Sequence, residues 1–251
     1  MNIEWESEKY ANDFSFVPQY GKDLIKLLDK DGAKSVLDLG CGSGLLTKSL
    51  LSEGFSVVGI DASSEQIELA KNNYPEIKFY CKDATDFSLD TQVDAVFSNA
   101  VIHWIDKQKQ PKMLSCVYNS LNSGGQFVFE LGGKGNTALI HGALRKSFEK
   151  RNLNYNISFY FPSIGEYTAL LEKAGFKVEL AMLFDRPTSL KGDNGLADWI
   201  KMFIKEPFEQ IPEKIQDAII KEAVNELKPL LYKNNIWFAD YVRLRCKAIK
   251  V

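Results

Sequence analysis

Across residues 35–131 short apolar runs alternate with amphipathic stretches, and that alternation leaves the chain few folds to choose from. Runs rich in β-branched and aromatic residues, bounded by turn residues, fall at 35–39, 56–60, 77–80, 93–97 and 126–129. Strands that alternate with helices form βαβ units, and such units build a largely parallel sheet with helices on its faces. Between the second and third runs, Ser63-Ser64-Glu65-Gln66 has the spacing of a helix-capping box, and Ile67, Ala70 and Tyr74 follow at helical intervals. A second box, Ser163-Ile164-Gly165-Glu166, opens a helix that places Tyr167, Leu171 and Ala174 on one face and ends at Gly175. A sixth strand is expected at 176–180 and a last one at 236–244, added at the sheet edge. The expectation is a doubly wound α/β fold with seven strands.

Residues 193–229 break the rhythm with Trp199, Met202, Phe203 and Phe208, then a helix started at Pro212 that is expected to stop before Pro229. They read as an inserted helical cap within a single domain spanning 1–251. The N-terminal stretch 1–34 reads as a helical lead-in, its aromatics Trp5, Tyr10, Phe14 and Phe16 suited to a lid.

A formal net charge of −2 gives no electrostatic reason to expect nucleic acid or an anionic membrane as partner, which points to a small molecule. Cys41, Cys81, Cys116 and Cys246 form no C-x-x-C pair, and His103 and His141 are the histidines available to join them. Neither a disulfide framework nor a metal site is suggested, and reduced thiols without an apolar leader fit a cytoplasmic protein.

The chemistry begins at Asp38-Leu39-Gly40-Cys41-Gly42-Ser43-Gly44. Ligands of open α/β sheets lie beyond the carboxyl ends of the strands, where the first turn must bring its backbone close to the ligand. Gly40, Gly42 and Gly44 permit that approach, and the helix after them offers its N-terminus. A dinucleotide fingerprint would need Gly or Ala three residues beyond Gly42, where Leu45 stands. Asp61 closes the second strand, where a carboxylate can accept from both hydroxyls of a ribose, a role common to several nucleotide sites.

Asp61-Ala62, Lys82-Asp83-Ala84 after the third strand and Asn99-Ala100-Val101-Ile102-His103-Trp104 after the fourth complete an ordered set. With the glycine segment they resemble the motifs of class I S-adenosylmethionine-dependent methyltransferases, and the 99–104 segment is similar to that of the trans-aconitate methyltransferase branch. The resemblance is strong over roughly 10–132. It implies a Rossmann-like sheet, mostly parallel with one antiparallel strand in the edge region, and S-adenosylmethionine as cofactor. By the same resemblance Asp38, Gly40, Cys41, Gly42 and Gly44 flank the methionine and ribose, Asp61 and Ala62 hold the ribose, Asp83 and Ala84 face the adenine, and Asn99 and Ala100 lie beside the cofactor.

His103 is a candidate for acid–base or positioning work, and Trp104, Arg186 and Trp199 for contact with the acceptor. A guanidinium such as that of Arg186 binds a carboxylate through two parallel hydrogen bonds. A sulfonium already carries an activated methyl, so transfer needs alignment and exclusion of water rather than a metal. With few candidate bases, a small acceptor bearing a carboxylate is favoured, because it is ionised at neutral pH. Two rival functions stand beside this one: a nicotinamide-dependent oxidoreductase, and a cofactor-binding scaffold of the same fold without turnover.

Overall fold

The structure, a computed structural model, describes residues 16–251, with side chains from Gly21 onward. Trp5, Tyr10, Phe14 and the Phe16 side chain, and with them the lid expected of the N-terminal aromatics, lie outside the described residues.

The five apolar runs form β1 (Ser35–Leu39), β2 (Ser56–Asp61), β3 (Lys78–Cys81), β4 (Val93–Asn99) and β5 (Leu121–Gly132). All are laid parallel, β1 between β2 and β4, with β3 beside β2 and β5 beside β4. The connecting helices are α1 (Phe16–Ile25), before β1, then α2 (Leu45–Ser52), α3 (Ser64–Asn73) and α4 (Gln110–Ser120). Ser63 caps α3 by accepting from the Gln66 amide at 3.3 Å.

Beyond β5 come α5 (Ala138–Glu149), α6 (Ile164–Lys173), β6 (Phe176–Leu190), α7 (Gly195–Phe203), α8 (Glu213–Leu231), the short β7 (Tyr232–Lys233) and β8 (Ile236–Lys250). The full reciprocal capping box at Ser163 and Glu166 starts α6. Strand order is β3-β2-β1-β4-β5-β8-β6, with β7 pairing only β8, antiparallel to it. The mostly parallel α/β sheet thus matches the expectation, with one correction. The last strand enters between β5 and β6 instead of closing the edge, because Leu244, Cys246 and Ala248 are fully buried in the main core.

That core lies on one face of the sheet, where Leu37, Leu39, Val96, Phe127 and Phe129 meet Met113 and Val117 of α4 and Tyr167 and Leu171 of α6. The opposite face packs Val36, Ala95, Phe97 and Val128 against Leu24 and Ile25 of α1 and Leu50 of α2. Each such side chain contributes roughly 1.5–3 kcal/mol by leaving water, so the two layers hold the carboxyl ends of β1, β2 and β4 at fixed heights.

The chain divides into two compact units, one running through Gly133 and adding Tyr160–Leu183 and Leu244–Val251, the other made of Lys134–Phe159 and Phe184–Arg243. In the second unit α5 packs on α8, and α8 on α7. α8 runs through Pro229 to Leu231, two residues beyond the proline and past the expected stop. A proline so near a helix end removes a single amide from the last turn, and the burial of Leu227 and Leu231 offsets that loss.

Candidate active site

Gly40 and Cys41 donate backbone N–H bonds to the Ile60 carbonyl at 2.8 and 3.0 Å, which ties the turn after β1 to the end of β2. Gly40 has φ +75°, and a Cβ there would stand 2.3 Å from Cγ2 of Val101, so the segment after β4 closes directly on the glycine turn. Gly42 is at φ +52°, and among the described residues a Cβ there would meet Gln66 Oε1 at 3.7 Å, an ordinary contact. Close packing therefore accounts for Gly40, and the left-handed backbone angle for Gly42.

Asp61 accepts from the Gly42 amide through Oδ2 and from the Ser63 amide through Oδ1, each at 2.9 Å. Burial pushes its carboxyl upward, and these backbone donors counter the shift. Lys82 donates its backbone N–H to the Asp61 carbonyl at 2.9 Å, so the Asp83-Ala84 pair begins one residue from the Asp61 backbone. Both the amide and the hydroxyl of Thr85 donate to Asp83 Oδ1 at 2.7 Å, holding that carboxyl below its ordinary range. The Ala100 amide, in a residue at φ +61°, donates to the Glu130 carbonyl at 2.8 Å. Asp38, Gly40, Gly42, Asp61, Ala62, Asp83, Asn99 and Ala100 are thus brought together along the carboxyl ends of four adjacent strands.

Asp38 is 2% exposed and accepts from the Thr47 hydroxyl at 2.6 Å. Burial raises its carboxyl to about 7, with a smaller push from Asp61, while Thr47 pulls the other way. An acid so poorly solvated without a ligand is suited to a cationic one. Cys41 is buried, and its Sγ would lie 2.9 Å from a Cβ on Gly59. Burial drives its thiol far above the range in which a thiolate forms. The sulfur is therefore a packing atom, and the Cys41 backbone is what serves the turn.

His103 sits in a short 3-10 turn after β4 and is 7% exposed. The Gly132 amide donates to its Nδ1 at 3.2 Å, and its own carbonyl accepts from the Tyr160 amide at 3.0 Å. Because Nδ1 is an acceptor, the neutral ring carries its proton on Nε2. Taking up a second proton would cost the bond from Gly132, so the ring is arranged as a donor. Trp104 stands beside it, ring centroids 5.6 Å apart.

The other proposed acceptor contacts belong to the second unit. Arg186 lies over the Phe184 ring at 5.0 Å. Trp199 is 4% exposed, and its indole N–H donates to the Tyr241 hydroxyl at 2.6 Å, so its ring is part of that unit's core. Sequence reasoning passed over Thr47 and Val101, which carry no signal of their own, and Glu130, which did carry one. Glu130 is an acid inside the apolar run Phe127-Val128-Phe129-Glu130-Leu131 and is 2% exposed.

Comparison with known proteins identifies the family. Residues 36–125 match the family described as "Methyltransferase domain". An uncharacterized methyltransferase of Schizosaccharomyces pombe is 34% identical over 98% of each chain. Trans-aconitate 2-methyltransferase of an Azoarcus species is 32% identical over 51% of this chain and 50% of its own length. Among solved structures, a geranyl diphosphate methyltransferase in complex with S-adenosylmethionine superposes with a TM-score of 0.57 at 15% identity, covering 93% of this chain and 85% of the other. The chain belongs to the class I S-adenosylmethionine-dependent methyltransferases. S-adenosylmethionine is its cofactor, which displaces the nicotinamide reading.

Proposed function

We propose that this methyltransferase acts on a small molecule and that the oxygen it methylates belongs to a carboxylate. The observation that carries this reading is the bond from the Gly132 amide to His103 Nδ1, which occupies the lone pair a general base would use. A hydroxyl or ammonium nucleophile must lose a proton, whereas a carboxylate arrives ionised. S-adenosylmethionine would supply an activated methyl with its thioether as the leaving group, and a carboxylate oxygen would accept that methyl with no proton for the protein to remove. The trans-aconitate relative supports an acidic acceptor by its name, over half of this chain.

In this reading Asp61 accepts from the ribose hydroxyls, Asp83 and the Ala84 amide meet the adenine edge, and the Gly40–Gly44 turn lies along the methionine portion. Ala62 closes on the ribose, Asn99 and Ala100 flank the sulfonium, and Trp104 walls the acceptor side while His103 donates from Nε2. Methyl-labelled cofactor offered with matched series of carboxylates, alcohols and amines tests the proposal. Label entering the carboxylates alone is expected, and transfer confined to alcohols or amines would overturn it.

A further inference from the structure

Gln110 opens α4, and its side chain reaches back to the 3-10 turn that follows β4. Nε2 donates to the Ile102 carbonyl at 3.0 Å and to the Ile105 carbonyl at 2.8 Å, while Oε1 accepts from the Tyr167 hydroxyl at 3.0 Å. The orientation of the amide follows from its partners, because carbonyls cannot donate. Burial holds the Tyr167 phenol far above its ordinary range, so it stays protonated and donates. Gln110 and Tyr167 are both fully buried.

The two carbonyls lie on either side of His103 and Trp104. A short 3-10 turn has poor hydrogen-bond geometry of its own, and here donors from elsewhere hold it. Gln110 takes Ile102 and Ile105, the Tyr160 amide takes the His103 carbonyl, and the Gly132 amide takes His103 Nδ1. Tyr167 in turn stands edge-on to Phe129 of β5 in the main core, ring centroids 5.3 Å apart. A core that needed only filling at position 110 would take an apolar side chain at less desolvation cost, whereas a satisfied buried network specifies one arrangement of what it holds.

We propose that Gln110, oriented by Tyr167, is a positioning residue for methyl transfer: it fixes the His103–Trp104 turn and so preserves the bond from Gly132 that makes His103 an Nε2 donor. This rests on the reading above that His103 and Trp104 face the acceptor. In-line transfer tolerates little misalignment, and a displacement of about 1 Å costs roughly a hundredfold in rate. The cofactor contacts assigned to Asp61, Asp83 and the glycine turn do not pass through Gln110, so its effect falls on turnover.

Gln110→Met nearly keeps the volume and removes the donors. Initial rates with the carboxylate that takes most label in the series above are expected to show kcat lowered about ten- to a hundredfold. S-adenosylhomocysteine affinity, read by calorimetry, is expected to stay unchanged. That variant strands the Tyr167 hydroxyl, so adding Tyr167→Phe is expected to recover part of the lost urea midpoint while kcat stays low. A second readout needs no acceptor. In nitrogen-15 spectra of the S-adenosylhomocysteine complex at about pH 9, where an ordinary imidazole is neutral, His103 is expected as one tautomer in the parent and as a mixture in Gln110→Met. His141→Phe assigns the signals of the two histidines. The proposal is overturned if His103 keeps a single tautomer in Gln110→Met, or if the double variant turns over as the parent does. Trp104→Ala tells the two layers apart: parental rates there would remove the acceptor-side reading and this proposal with it, whereas a loss there beside parental rates in Gln110→Met would remove this proposal alone. If label enters only alcohols or amines, the same rates are read with those, and the carboxylate reading alone falls.

Discussion

Two sets of buried polar groups, one in each unit of the chain, meet their surroundings differently. In the first, Asp38 and Asp61 are withdrawn from water at strand ends and raised by burial, with hydroxyl and backbone donors opposing the shift only in part. In the second, two pairs engage one another: Trp199 donates to Tyr241, and His141 Nδ1 lies 2.6 Å from the Tyr155 hydroxyl. The difference teaches where a ligand is needed. A carboxylate left with an electrostatic deficit suits a cationic ligand, whereas a pair such as Trp199 and Tyr241 is satisfied within the protein.

The sharpest way to break this contrast is Gly40→Ala. Its methyl would enter the space of Val101 at a backbone angle that L-residues resist, so about 4 kcal/mol of stability should be lost, measured by urea unfolding. An unchanged midpoint would mean that the turn is far looser than the packing shows. Asp61→Ala comes next: with the ribose acceptor gone, calorimetry should show S-adenosylhomocysteine binding weakened at least about a hundredfold, while the melting temperature changes little. Retained affinity would remove Asp61 from the cofactor site.

The sequence made the first unit readable because a parallel sheet announces itself through apolar runs, and a cofactor turn through residues that only backbone geometry demands. Asp38, Gly40, Asp61, Asp83 and Asn99 stand at strand ends, so locating the strands located the candidate site. β8 was misplaced at the edge because β-branched and aromatic content signals a strand without saying which neighbours it takes. The stop before Pro229 failed because burial at the helix end outweighed a local propensity. Helix α5 gave less warning, since the segment opens with Gly132-Gly133-Lys134-Gly135 and its buried face, with Ile140, Leu144 and Phe148, has meaning only against α8. The Glu130–Arg245 pair joins residues 115 apart, a distance no spacing rule spans.

The comparison also predicts opposite pH slopes for the ligand-free protein. Asp38, raised from 3.8 to about 7 mainly by burial, contributes stability that is full below pH 4 and lost as pH rises through 7. His141, lowered from 6.5 to about 4 by burial with a lesser push from Arg145, contributes stability that is present above pH 6.5 and lost as pH falls through 4. Each effect should amount to about 3–4 kcal/mol. Thermal melts from pH 4 to 8 should show Asp38→Asn gaining stability over the parent at the alkaline end, and His141→Phe giving up less than the parent at the acid end. S-adenosylmethionine should bind more tightly as pH rises through 7, because its sulfonium favours the ionised Asp38. Parallel slopes for the two variants would undo the contrast.

The smallest effect separates the two kinds of glycine. Gly142 lies inside α5, and among the described residues a Cβ built there meets nothing within 4 Å. No left-handed angle and no described neighbour holds that position to glycine, so Gly142→Ala should add about 0.5–1 kcal/mol to stability through reduced freedom of the unfolded chain. Cofactor affinity should stay as it was. A loss of methyl transfer in this stabilised variant, with S-adenosylhomocysteine still bound, would show that α5 must yield during turnover.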